Sequence, residues 1–190
     1  MSSDPPQSVI IRLHADGDSK EAVEFFHRLG LCISIWAYVD RRLYQIFHHA
    51  TGFEQKQSAL VYYGNRSFNP RLRMVDKAVK AELSADDFRD LWKPLHAEAH
   101  GLSYTRNILA HHPVHRLGTA INGSALDIFS IHIEPYERVL NDDYPGLQGK
   151  DQLEIGDLLK HEANIMELES KLHTFAWEMG SRRAATKPRP

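Results

Sequence analysis

The sequence predicts a mostly α protein: a helical bundle with two long helices, shorter helices between them, and a small β-hairpin inserted before the last helix. Three observations predict it. Apolar residues recur at spacings of three and four from Ala22 to Ala50 and again from Ile155 to Met179. An Asn122-Gly123 pair stands just before a run of β-formers. With 190 residues, 42% hydrophobic and 25% charged, the chain is long enough to bury a core.

Asp18 and Glu21 stand at capping-box spacing and Gly52 follows the last apolar residues, which bounds the first long helix. Its seam is Ala22, Phe25, Leu29, Cys32, Trp36, Val39, Leu43, Ile46 and Ala50. After a loop over Thr51 to Gln57, Ser58 to Tyr63 forms a short apolar piece. Asn69-Pro70 reads as an N-cap with proline in the first helical position, opening a helix to about Leu83. Ser84 or Ala85 starts another, with Asp86 and Asp87 favourable to its dipole. Pro94 and Gly101 are expected to interrupt it. Helical spacing resumes from Leu102 to His111, and Pro113 ends it because the residue before a proline is pushed out of the α region. Ala125 to Ile133 is the strand of the hairpin, and Glu134 to Lys150 an acidic loop. Asp151 with Glu154 caps the last helix, whose seam is Ile155, Leu158, Ile165, Leu168, Leu172, Phe175 and Met179. The domain reading is a flexible N-terminus at 1–17, one helical domain at 18–180 carrying an insertion at about 114–150, and a disordered basic tail at 181–190.

One constellation could carry chemistry: Ser103-Tyr104-Thr105-Arg106-Asn107-Ile108-Leu109-Ala110-His111-His112-Pro113. At 100° per residue Asn107 and His111 lie one turn apart on one face with Arg106 and Ser103 beside them. An arginine, an amide and an imidazole are what is needed to hold a phosphodiester, stabilise its transition-state charge and move a proton without a metal. The same cluster is also what a solvated, cation-capped helix end looks like, and spacing alone leaves both readings open.

Arg106-Asn107-Ile108-Leu109-Ala110-His111 resembles the R-x4-H signature of HEPN (higher eukaryote and prokaryote nucleotide-binding) domains, which are α-helical bundles carrying the motif near the end of a late helix. The resemblance implies a metal-independent ribonuclease in which Arg106 neutralises the scissile phosphate and Asn107 orients the phosphate or the histidine. His111 serves as general base or acid for attack of the ribose 2′-hydroxyl, leaving a 2′,3′-cyclic phosphate. It also implies a homodimer with a composite site, RNA as substrate, and for toxin members an antitoxin protein as partner. Pro113 occupies the place where antitoxin-modified members carry a tyrosine, so regulation by tyrosine modification is not expected. The alternative within the same likeness is a non-catalytic module that dimerises or binds a partner or nucleotide.

The global balance does not advertise nucleic-acid binding, with a net charge of −2 and a pI near 6.6. Locally, Lys56, Arg66, Arg71, Arg73, Lys77 and Lys80 face only Asp76, with Tyr62, Tyr63 and Phe68 interleaved, a surface for phosphate and stacking contacts. Ser103 and His112 extend that candidate RNA surface. A solvated helix face with its aromatics in the core is the plainer alternative. His111, His112 and His115 lack a carboxylate or cysteine at ligand spacing, so no metal and no cofactor is expected. His48-His49 are expected to cap the first helix, and Glu162, in a gap of the last seam, to lie at the rim or pair with Arg41 or Arg42. A single Cys32 reads as a small buried hydrophobe. No P-loop, dinucleotide glycine motif, nucleophile elbow or zinc-peptidase motif is present. No apolar run approaches the roughly 20 uncharged residues needed to span a bilayer, and the polar N-terminus lacks a signal pattern, which predicts a cytoplasmic protein without a membrane partner.

Overall fold

Helices α1 (Lys20–Thr51), α2 (Gln55–Gly64), α3 (Phe68–Glu82), α4 (Ala85–Asp87), α5 (Lys93–His111) and α6 (Ile155–Thr186) make up most of the protein, whose computed structural model describes residues 9–14, 19–120, 126–133 and 152–186. Strands β1 (Val9–His14), β2 (Val114–Ala120) and β3 (Leu126–Ile133) form a small antiparallel sheet in the order β1-β2-β3. The fold is therefore mostly α with a small hairpin, as the periodicity predicts. Packing divides the chain into two compact units, one of residues 1–32 and 107–161, the other of residues 33–106 and 162–190.

In the first unit the sheet holds Val9 opposite Ala120 and Val114 opposite Ile133. A bulge lies where Leu117 pairs with Ser130 and Gly118 with Ile128, so Phe129 is the extra residue. The stretch read as a flexible N-terminus holds β1, because Val9-Ile10-Ile11 are strong β-formers with an edge to pair against. An isolated bridge joins Ile133 to Leu153. The core of this unit is Ala22, Phe25, Cys32, Ile108, Leu109, Ile131, Ile133, Leu153 and Leu158, all buried. Cys32 is the buried hydrophobe expected of it, its thiol 3.5 Å from the Leu158 carbonyl.

In the second unit the buried seam continues through Trp36, Val39, Leu43, Ile46 and Ala50 of α1, against Ile165, Leu168, Leu172, Phe175 and Met179 of α6. Trp92 is fully buried with its ring 5.5 Å from that of Phe175, and its indole N–H donates to Asp76 at 3.0 Å. Each such fully buried large side chain contributes roughly 2–3 kcal/mol.

Several helix ends differ from expectation for local reasons. Ser19 caps α1, its Oγ accepting from the Ala22 N–H at 3.1 Å, while Asp18 lies outside the described residues. The Asp157 carboxylate accepts from the Glu154 N–H at 3.0 Å, so the reach-back cap of α6 is set by this pair; Asp151 lies outside the described residues. Helix α3 begins at Phe68 behind Ser67, which places Pro70 inside the first turn, where its missing N–H costs nothing. Pro94 does not break the chain's course: the residues before it, Phe88–Trp92, form a π-helical turn in which the Lys93 N–H reaches the Phe88 carbonyl. That wider turn accommodates the carbonyl that a proline can neither pair nor approach. Gly101 leaves α5 unbroken, its propensity cost of about 1 kcal/mol set against the burial of Ala99, Ile108 and Leu109. At the chain's end α6 runs to Thr186, into the stretch read as a disordered tail. Asn122-Gly123 and the acidic loop to Lys150 lie outside the described residues.

Candidate functional site

Helix α5 carries the motif, and Pro113 follows directly on its last turn. His111 is exposed in that turn. Asn107 is half-buried. His112 is half-buried and its Nδ1 lies 3.2 Å from the Ile108 carbonyl, capping the helix. Ser103 departs from the expected arrangement: it is buried, and its hydroxyl donates to the His100 carbonyl at 2.7 Å. A serine with an acceptor one turn back closes on its own helix when its surroundings are apolar.

Arg106 is half-buried, with its Nε fully covered. Its charge acts on Asp40 of α1, a carboxylate the sequence reading passed over. Asp40 Oδ2 accepts from Arg71 at 2.8 Å, and Oδ1 from the Tyr62 hydroxyl at 2.9 Å. The Arg71 guanidinium also lies over the Tyr62 ring, 5.5 Å from its centroid. Burial raises the Asp40 pKa, against the lowering pull of Arg71, of the Tyr62 hydroxyl and, least, of Arg106. Burial beside that carboxylate keeps the Tyr62 phenol protonated throughout the physiological range. One sequence signal could have found this hub: Asp40 is the sole carboxylate between Glu24 and Glu54, so an adjoining apolar helix has one acid with which to hold cations.

The proposed RNA surface is split by the same hub. Arg71 is tied to Asp40, Tyr62 is core, and the Phe68 ring packs 4.9 Å from that of Trp36. Lys56, Arg66, Arg73, Lys77 and Lys80 are exposed, as is Tyr63. Arg73, Lys77 and Lys80 follow spacings of four and three, so they form one stripe along α3. Asp76, between them in sequence, is occupied by Trp92 and by Lys93 at 3.2 Å.

The remaining histidines are placed differently from expectation. The α1 carbonyls are capped by the Gly52 N–H on His48 at 3.0 Å, by Thr51 on Phe47 at 2.9 Å and by Arg183 on His49 at 2.7 Å, rather than by the imidazoles. Gly52 adopts a φ of 67°, the left-handed cap geometry. Glu162 is half-buried, and the carboxylate that holds Arg42, at 2.6 Å, is Glu169 two turns further on. The gap in the α6 seam belongs instead to His161, which is 4% exposed, has no hydrogen-bond partner for its Nε2 among the described residues and has its pKa lowered by burial to about 4. Its position three after Leu158 and four before Ile165 was the signal.

No protein-family model, curated protein or solved structure matches the chain. Among the described residues no three His, Cys, Asp or Glu side chains come together as a metal-holding group. Helix α1 is long and apolar enough by length and composition to cross a membrane, with a mean hydropathy of 1.2 over 18 residues; the charged residues within it interrupt any uncharged run.

Proposed function

We propose that the chain is a metal-independent endoribonuclease of the HEPN type that acts in the cytoplasm, as the toxin or defence component of a system with a protein antitoxin. The observation that carries this reading is the exposure of His111 in the last turn of α5, with Asn107 one turn behind it and Arg106 five positions before it. His111 takes the ribose 2′-hydroxyl proton, or supplies one to the leaving group. The 2′-oxygen bonds to phosphorus, the bond to the 5′-oxygen breaks, and that oxygen takes up a proton, leaving a 2′,3′-cyclic phosphate. Arg106 neutralises charge developing on the phosphoryl oxygens. A second protomer completes the site, and the exposed stripe of Arg73, Lys77 and Lys80, with Arg66, contributes phosphate contacts.

A specific observation favours the second reading, a non-catalytic module that dimerises or binds a partner or nucleotide: Arg106 is half-buried and within electrostatic reach of Asp40, as a scaffold arginine would be. The deciding experiment is cleavage of a mixed RNA pool in EDTA by the wild type, His111→Ala and Arg106→Lys, each checked for equal helicity by circular dichroism. Loss in both variants with cyclic-phosphate ends in the wild-type products supports the nuclease. Cleavage that survives in both variants, or a folded wild type that cleaves nothing, favours the module.

A further inference from the structure

The end of α1 and the last turns of α6 line a second site, remote in sequence from the motif. It is a cavity of about 230 Å³ whose walls include His48, His49, Phe53 and Arg183 together with Gly52 and Gly180, and none of its described lining residues is acidic. Two glycines make the arrangement fit. A Cβ on Gly52 would fall on the guanidinium of Arg183, and a Cβ on Gly180 would stand 3.1 Å from the His49 ring. The Arg183 and His49 side chains thus lie close against glycine backbone, where a Cβ would displace them.

Ordinary capping accounts for part of this cluster. Arg183 Nη1 donates to the His49 carbonyl at 2.7 Å, offsetting the negative end of α1. That contact uses neither imidazole. The His48 ring is oriented by Ser58, with Nδ1 2.9 Å from Oγ, which leaves Nε2 as the nitrogen available to a ligand. The His49 ring has no hydrogen-bond partner among the described residues. Besides burial, which lowers its pKa most, the charges acting on His49 are those of His48 and Arg183, and both push in the same direction. Two imidazoles and a guanidinium share one cavity whose described walls hold no carboxylate, a set of donors suited to an anion.

We propose that this cavity binds a phosphate-sized oxyanion, the phosphoryl group of a small molecule or of a nucleic-acid end, held by His48, His49 and Arg183. Its volume falls below the roughly 300–1,000 Å³ of drug-sized ligand sites, which fits a phosphoryl group with a few waters. Phe53, itself exposed, offers a ring face to whatever carries the phosphoryl group. The site is independent of the ribonuclease reading, since neither Arg106 nor His111 lines it.

Imidazole ¹H–¹⁵N NMR on the full chain tests the proposal, with inorganic phosphate titrated against chloride at constant ionic strength and neutral pH. Phosphate is expected to move the His48 and His49 signals saturably and to raise the His49 pKa. Arg183→Gln should weaken binding by about tenfold, the loss of one charge-assisted contact. Gly180→Ala, which changes no charge but crowds the His49 ring, should weaken it severalfold, an effect that diffuse surface charge would not produce. A second arm compares a 5′-phosphorylated with a 5′-hydroxyl dinucleotide. Tighter binding of the phosphorylated form than of inorganic phosphate assigns the site to nucleic-acid ends, and equal binding assigns it to free phosphate. Signals that respond to phosphate no more than to chloride, or folded variants that bind as the wild type does, overturn the proposal.

Discussion

His161 turns a buried orphan nitrogen into a pH dependence that can be measured. The side chain is 4% exposed, its Nε2 lacks a hydrogen-bond partner among the described residues, and burial holds its pKa at about 4 against an ordinary 6.5. The unfolded chain therefore takes up a proton at higher pH than the folded one. Between 6.5 and 4 the unfolded state binds more protons, so stability is whole above pH 6.5 and drains away as pH falls through that window. At 1.36 kcal/mol per pH unit the full loss is about 3 kcal/mol, of which about 2 kcal/mol has gone by pH 5. The perturbation is His161→Leu, close to volume-conserving and unable to titrate. Urea unfolding followed by circular dichroism from pH 7.5 to 4.5 should show the variant level with or above the wild type at pH 7.5, because a buried unsatisfied nitrogen has been removed. The gap should then widen by about 2 kcal/mol in the variant's favour by pH 5. Taking the difference cancels His49 and His96, whose pKa values burial also lowers. Parallel pH profiles for the two proteins would refute the reasoning, because they would mean that His161 meets solvent or a counter-charge in the folded state.

Asp40→Ala should cost about 3 kcal/mol in urea unfolding, because it strands the Arg71 guanidinium in a half-buried site, while the Tyr62 hydroxyl keeps the Asp40 backbone carbonyl at 3.1 Å; a cost under half of that would place the guanidinium in water. Tyr62→Phe keeps the ring packing and removes one hydrogen bond to Asp40, so its cost should be about 1 kcal/mol by the same assay. Gly101→Ala should stabilise by about 0.5–1 kcal/mol, read as a rise in urea midpoint, since a Cβ there meets nothing within 4 Å and α5 is regular around it.

What the sequence made legible was whatever repeats locally. The α1 seam reads directly from spacing, and eight of its nine named positions are buried, Leu29 alone being half-exposed. The α6 seam reads the same way except at His161, where a residue usually found polar sits in an apolar row. Strand β1 is not legible in the sequence because nothing local marks its partner: Val9 pairs with Ala120, far along the chain. Spacing alone predicts a break at Pro94, but a proline's effect depends on whether the preceding turn can widen, and Phe88–Trp92 does widen. The motif positions were legible as a row on α5, but their burial was not, and Ser103 was lost to its own helix for that reason.

The Asp40 hub bears on whether Arg106 has a charge to give. Both carboxylate oxygens are engaged, one by Arg71 at 2.8 Å and one by Tyr62 at 2.9 Å, and Arg106 is the weakest of the influences on that group. Asp40 is therefore held chiefly by Arg71. That order gives Arg71 a specific part in the nuclease reading: it occupies Asp40 and so keeps the carboxylate from drawing in Arg106. Removing Arg71 should weaken any phosphate chemistry at Arg106 without touching the motif, while removing exposed Arg73 or Lys77 should change only the salt dependence of binding.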